Sequence, residues 1–488
     1  MNDSPSIVLM DGPPASILDL GDDLLAAVAE HAEDAQTRCR LAASCAAFRR
    51  LILCDVRTRA LVWNPLVRIY RPLKADRLPS PMLYQSLSSL QRLSWRPLSL
   101  EAPRSIAQHA LAGRTGAASC RLEGVALVYG GTLNGNIGPL LGDLLRLAHD
   151  RINGLLSIRP AREQQRSREA HPGPRRGHTM TASSVGGSPV AVVLGGWGSD
   201  GEETMMPHLL SATPDGYEWS LPALSGALPT GRAFHSATET APGRLVAYGG
   251  LGSGCCRDDL ALLDLSSMEW TSLRIGGVPR CSYGRAGHCA VFVPHATGVL
   301  GGGMAEASSG GAEADAPGRL WGDALDSGAD SQAGHLIFMS GASRSIVGDA
   351  HQPTVDAIEV GSDGSPLRWS AEPEWGDVSL PAVRTAACIT LARHVVVWGG
   401  VGQDHTPEGA VRLLDVDRRS VRPASLLSTH DSIGGGEAVS STGLHAPPPR
   451  AGAIFIQLGP EETILMFGSD HEDEEDMLTP YLLQLELP

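Results

Sequence analysis

Lysine is almost absent from this chain. Lys74 stands alone against 38 arginines in 488 residues, so the protein offers a single internal side-chain amine. A GC-rich coding sequence accounts for the arginine bias. Positive charge is in deficit overall: 39 Lys and Arg face 54 Asp and Glu, for a net charge of −15. That balance opposes nucleic-acid binding by bulk electrostatics, because neutralising phosphates requires a basic face. No apolar run approaches the roughly 20 residues of a membrane-spanning helix. Residues Met1 to Pro14 lack the basic segment and apolar core of an export signal, so the chain is expected to remain in the cytoplasm or nucleus. The nine cysteines form no Cys-x-x-Cys pair and are odd in number, as expected for reduced thiols in those compartments. The adjacent Cys255 and Cys256 read either as a redox pair or as a loop pair without a role.

What is abundant is glycine and proline, 57 and 34 residues, as a β protein with many turns requires. One pattern recurs six times: an Arg-led segment, a short apolar run ending in Gly-Gly, then a polar loop. The apolar runs are Val125 to Gly131, Val190 to Gly196, Leu245 to Gly250 and Val395 to Gly400, with weaker copies at Gly298 to Gly303 and Ile464 to Gly468. Arg-led segments start at Arg114, Arg176, Arg232, Arg285, Arg384 and Arg450. Closing strands carry Trp219, Trp270 and Trp369, with copies lacking Trp at Leu155 to Pro160 and Ser420 to Ser425. Trp95, in Arg92 to Leu98, precedes the first Arg-led segment, whereas the chain ends on a third-strand pattern at Leu482 to Leu487. Arg92 to Leu98 is therefore expected to supply the last unit's missing outer strand and close the ring.

A period of this length with a double glycine after a strand signals a β-propeller. The Arg-x-x-His, Gly-Gly and Trp elements, in order from about Leu90 to Pro488, resemble the kelch repeat. The fold expected is mainly β: a six-bladed kelch propeller over residues 90–488, with seven blades as the alternative. Leu336 to Gly341 also resembles a double-glycine strand, yet no Arg-led segment separates it from Gly301-Gly302. Residues 304–334, rich in small residues, are read as an insertion in the fourth blade. Ala387 and Ala453 stand where blades five and six lack His, and the last double glycine reads Gly468-Ser469.

Upstream, Leu20, Leu24 and Val28 repeat at helical spacing behind Asp22 and Asp23, which suit a helix N-terminus. Leu41, Cys45, Phe48 and Ile52 form a second stripe between arginines. This pair of short helices resembles an F-box, with Gly21 in place of the usual Pro and Phe48 in place of the usual Trp. The layout is similar to plant zeitlupe-type F-box/kelch proteins without their light-sensing domain. The divisions expected are a disordered tail (1–15), an F-box (16–55), a linker (56–89) and the propeller.

Catalytic signals are weak. Gly131 to Gly138 is glycine-rich but lies between strands, where a dinucleotide site would need a helix start. His178, His235 and His288 occupy equivalent repeat positions, which suits a structural role bonding the neighbouring blade's backbone. The acidic run from His471 to Asp476 reads as a solvated loop. Copper-radical oxidases share the kelch fold, but no matching ligand constellation occurs here. No catalytic residue, metal or cofactor is expected.

The resemblance implies a non-catalytic substrate receptor of a cullin–RING (SCF-type) ubiquitin ligase. Leu20, Leu24, Leu25, Val28, Leu41 and Phe48 would dock a Skp-type adaptor. The propeller would hold the target protein through loops that follow the Gly-Gly strands, at Trp197, Asp200, Arg257, Asp404 and His405. A single lysine suits a ligase subunit that seldom modifies itself. A kelch scaffold without a ubiquitin role is the alternative.

Overall fold

A strand covered on both faces reads as a short continuous apolar run. The second strand of every repeat is of this kind: Ser188–Leu194, Arg244–Tyr248, His394–Trp398 and Glu462–Met466 are buried along most of their length. Each pairs antiparallel with the strand before it and the strand after it. In the computed structural model these triplets, each with one more outer strand, form six blades of a β-propeller. Described are residues 93–485 apart from 104–110, 134–137, 165–168, 280–283, 295–332, 371–379, 424–446, 470–478 and some shorter gaps, Asp200 and Gln403 among them.

From channel to rim, blade one is Ala118–Leu122, Val125–Thr132, Leu140–Asp150 and Leu155–Pro160. Blade two starts at Thr179–Val185, blade three at Ser236–Ala241, blade four at Cys289–Pro294, blade five at Ala387–Leu391 and blade six at Ile454–Gly459. First strands touch both neighbouring first strands all the way round, so the ring closes between blades six and one.

That closure uses the expected borrowed strand. Leu93–Pro97 pairs antiparallel with Tyr481–Leu485 and is the outer strand of blade six. Trp95 is buried there, stacked on Phe455 and edge-on to Trp398 of blade five. The arrangement repeats at other seams. The closing Trp of one blade packs against the residue before the double glycine of the preceding blade: Trp219 against Tyr129, Trp270 in a cluster with Leu194, Trp369 against Tyr248. After its outer strand, the chain runs parallel along the outer edge of the next blade. Ser99–Glu101, Glu163–Gln164 and Ser225–Gly226 do so on blades one, two and three, and Gly276 bridges Arg368 on blade four. These segments occupy edges that would otherwise present unpaired backbone groups.

The structure corrects the repeat register in four places. The second strand of blade four is Gly334–Met339, paired with Cys289–Pro294 and Val355–Val360, so Ser340-Gly341 replaces the expected Gly298 to Gly303. Gly334 therefore belongs to a strand, and the inserted sequence falls between the first and second strands of blade four; residues 304–332 themselves lie outside the described residues. In blade six the pair is Phe467-Gly468 rather than Gly468-Ser469. In blade two the repeat arginine is Arg175, not Arg176, and in blade five Val383 holds that position, one residue before Arg384.

Backbone hydrogen bonds define this register. The second residue of the pair donates its N–H to the arginine-position carbonyl of the next blade: Gly196 to Arg232, Gly250 to Arg285, Gly341 to Val383, Gly400 to Arg450 and Gly468 to Arg114. At Gly400 φ is +96° and a Cβ would lie 2.8 Å from the Arg384 carbonyl oxygen. The first position is less strict, at φ +57° for Ser340 and +67° for Phe467, which is why the double glycine is degenerate there. Gly400→Ala is expected to lower stability by about 2–3 kcal/mol, checked by denaturant unfolding.

Candidate functional site

Antiparallel order places the start of each first strand, the end of each second strand and the loop after it on one face of the disc. All the loops proposed from sequence therefore emerge on the face where the Arg-led segments enter the channel. The mouth is built from backbone. Gly177 donates its N–H to Gly116 at 2.9 Å, Phe234 to Gly177 at 2.6 Å, Gly287 to Phe234 at 2.8 Å, Thr385 to Gly287 at 2.7 Å and Gly452 to Thr385 at 3.0 Å. One residue from each blade thus joins a hydrogen-bonded circle that spans five of the six seams. All six residues have φ between +56° and +67°, the left-handed conformation that glycine adopts without penalty. Phe234 and Thr385 hold it at a cost of about 1–3 kcal/mol each.

The circle borders a cavity of about 210 Å³, with Thr115, Ala117, Ala386, Ala453 and Ser469 in its wall. Behind the wall lies a second repeated device. Arg114, Arg175, Arg232, Arg285 and Arg450 are buried, and each guanidinium donates to the carbonyl of the first residue of its blade's pair, at 2.8 to 3.2 Å. Asp143, Asp259 and Asp356 accept from three of them. Blade five loses both partners together. Val383 replaces the arginine, and Ala410 occupies the place of Asp259, since Val411 pairs with Trp398 as Leu260 pairs with Tyr248. Losing both is tolerable because an apolar pair can replace a buried ion pair, whereas Arg175, which has no Asp, donates to the Pro172 carbonyl instead.

The repeat histidines serve the seams. His178 packs edge-on against Tyr129, and His288 against Tyr248 and Phe338. Nε2 of His288 lies 2.9 Å from the Ser236 hydroxyl, and that of His235 lies 3.5 Å from the Thr179 hydroxyl. Both rings thus reach a hydroxyl of the preceding blade, while His178 meets the backbone of Tyr129 in blade one, the kind of partner expected from sequence. Burial, and then a neighbouring guanidinium, push His178 and His235 down to about 3, so both rings are neutral. Among the described residues no group of three or more His, Cys, Asp or Glu is arranged to hold a metal.

The sequence-derived contact residues separate on inspection. Trp197 is half-buried; the Arg176 guanidinium lies 5.1 Å over its ring, and the Phe234 ring meets it edge-on at 5.5 Å. This builds an aromatic and cationic patch at the mouth. Neither Phe234 nor Arg176 is among the contact residues expected from sequence; the signal there is Phe where four of the other repeats have Gly. Arg257 is half-buried in a hairpin, its N–H bonded to Gly250 and its carbonyl accepting from Arg285. Asp404 accepts the Thr406 hydroxyl at 2.7 Å and its N–H at 3.1 Å, and these bonds hold its carboxyl below the usual range. His405 sits in the same exposed turn at φ +66°. Asp200, and the adaptor set Leu20, Leu24, Leu25, Val28, Leu41 and Phe48, lie outside the described residues. Cys255 and Cys256 lie in a short strand, one thiol exposed and the other directed at the Ala342 carbonyl.

Glu239, in the first strand of blade three, has no cation within bonding distance among the described residues. It accepts from the Ser183 hydroxyl at 2.5 Å and the Gly243 N–H at 3.0 Å, and burial pushes its carboxyl up to about 7. A raised folded-state value favours the fold while the group is protonated. Its contribution is complete below the unfolded value of 4.5 and is lost as pH rises through about 7. Glu239→Gln is expected to remove that dependence and to stabilise the protein above pH 7 by up to about 3 kcal/mol, read from urea midpoints at pH 5 and pH 8.

Residues 86–303 match the KLHDC2/KLHL20/DRC7 Kelch-repeats domain. Over 113 residues, 23% of the chain, it is 33% identical to acyl-CoA-binding domain-containing protein 5 of Arabidopsis thaliana and 32% identical to protein 4 of the same name and organism. Those segments span 17% and 16% of the two relatives. Among solved structures, a chain from a cryo-EM structure of RAG with one melted and one unmelted RSS superposes with a TM-score of 0.51 at 14% identity, over 80% of this chain and 99% of that one. At that identity the likeness is one of fold. The kelch repeats matched over residues 86–303 and the six blades, with their buried arginines and paired turns, fit a kelch-repeat propeller.

Proposed function

We propose that this protein is a substrate receptor of a cullin–RING ubiquitin ligase, catalysing nothing itself and presenting a target protein on the channel-mouth face of its propeller. The observation that carries the presenting role is the mouth itself. It is a hydrogen-bonded backbone platform with an aromatic and cationic patch at Trp197, Phe234 and Arg176 and with the loops of several blades around it. Loops held on a rigid scaffold are where propellers and similar folds carry recognition. The adaptor role is supported by the sequence stripes at Leu20, Leu24, Leu25 and Val28 and at Leu41 and Phe48. A ligase receptor works by raising the local concentration of the target near the conjugating enzyme, so it needs two binding surfaces and no reactive group.

Binding of purified full-length chain to a Skp-type adaptor at micromolar concentration tests the reading. Absence of a complex refutes the ligase role and leaves a kelch scaffold for protein–protein interaction. The acyl-CoA-binding domain-containing proteins favour that second reading, because their names place related sequence beside an acyl-CoA-binding domain.

A further inference from the structure

Cys289 opens the first strand of blade four, and Cys388 is the second residue of the first strand of blade five. They are 99 positions apart in sequence, so no motif joins them. Side chains alternate along a strand. In blade five Ala387 and Ile389 face blade six, whereas Ala386 and Cys388 face blade four. Cys289, Val291 and Val293 enter that same blade four–five cluster. The Cys289 thiol donates to the Ala386 carbonyl at 3.3 Å, and Cys388, two residues further on, packs in the same cluster.

The repeat explains why two thiols meet here. At the equivalent place in the two preceding seams, Thr179 meets His235 and Ser236 meets His288. Because Val383 holds the arginine position, Ala386 rather than Ala387 stands where that imidazole would be, so the group on blade four is left facing Cys388. Neither sulfur contributes to the channel-mouth patch.

We propose that Cys289 and Cys388 form a disulfide that joins blades four and five when the protein meets a peroxide. Cys388 is the less buried of the two and reacts first. Its sulfur attacks one oxygen of hydrogen peroxide, the O–O bond breaks, one oxygen leaves as water with the thiol proton, and a sulfenic acid remains. The Cys289 sulfur then attacks the Cys388 sulfur, the S–O bond breaks, and the hydroxyl leaves as water with the second thiol proton. Two thiols and one peroxide yield one disulfide and two waters. Each sulfur is oxidised by one electron and the peroxide is reduced by two. The neighbouring Cys388 thiol, and then burial, hold the Cys289 thiol well above its ordinary range. Cys289, the second thiol to act, is therefore reluctant to ionise.

The test treats the native full-length protein with hydrogen peroxide, blocks free thiols, and maps tryptic peptides by mass spectrometry without reduction. The expected result is joint loss of the alkylated Cys289 and Cys388 peptides, appearance of their crosslinked product as the dominant disulfide, and return of both on adding dithiothreitol. Cys388→Ser should abolish the product and leave Cys289 alkylatable. Oxidation of Cys388 to sulfinic acid with Cys289 still free would overturn the proposal. So would a crosslink seen only after denaturation, or Cys289 joined to another cysteine in the native wild type.

Discussion

A chain beginning at Leu111 is expected to melt far below one beginning at Ser88. The difference between them contains Leu93–Pro97, the outer strand of blade six, and Ser99–Glu101, which lies along the edge of blade one. Losing the first removes the pairing with Tyr481–Leu485 and takes away Trp95, buried between Phe455 and Trp398. Truncating a buried Trp alone costs about 3–5 kcal/mol. The backbone bonds add to that, and the exposed edge becomes a template for association with other chains. The shorter protein should therefore show a lower melting temperature and a larger aggregated fraction in size-exclusion chromatography. Equal melting and equal solubility of the two chains would show that the borrowed strand is dispensable. Trp95→Ala in the full chain separates packing from pairing, and it should reproduce part of the loss without opening the edge.

The second large effect concerns the adaptor. Replacing Leu24 and Phe48 together by Ala is expected to weaken adaptor binding by about 10²- to 10⁴-fold. Each side chain contributes about 1.5–3 kcal/mol if buried at the interface, and every 1.4 kcal/mol is a factor of ten. The propeller has its own core, closed by strand pairing from Leu93 onward, so capture of the target should survive. The double variant should hold its target without shortening the target's half-life. An adaptor that co-purifies with the variant at the wild-type level would refute this assignment of the face.

The Gly-Gly runs were legible because they reflect a local requirement: a positive φ and no room for Cβ at the second position, as at Gly400. Their failures are equally local. The first position tolerates Ser340 and Phe467, so blades four and six lost their signature there. A chance Gly301-Gly302 in the small-residue stretch then drew the reading away from Leu336 to Gly341. The arginine register failed for another reason. Arg175 and Arg176 are adjacent, and Val383 precedes Arg384, so spacing alone could not say which residue is buried. Only the hydrogen bonds from Gly341 to Val383 and from Arg175 to the Gly195 carbonyl decide it.

For the site, sequence reached Trp197 but not its partners. Phe234 belongs to the next blade and reaches Trp197 through blade stacking, whereas Arg176 pairs with Trp197 within blade two, 21 residues away in sequence. Asp404 and His405 stood out as polar residues in a loop, and the structure makes them members of one tight turn. The meeting of Cys289 and Cys388 was invisible for the same reason as the Phe234 patch.

By itself the sequence left seven blades open beside six, but it determined the class of fold and the strand that closes the ring. Each rests on a repeated local constraint: apolar runs covered on both faces, turns that exclude a side chain, and a terminal unit short of one strand. The tertiary structure decided which arginines are buried, which residues form the circle at the channel mouth and which side chains meet across seams. Those depend on the register between neighbouring blades, which is set by hydrogen bonds from one repeat to the next and leaves no periodic trace within any one of them.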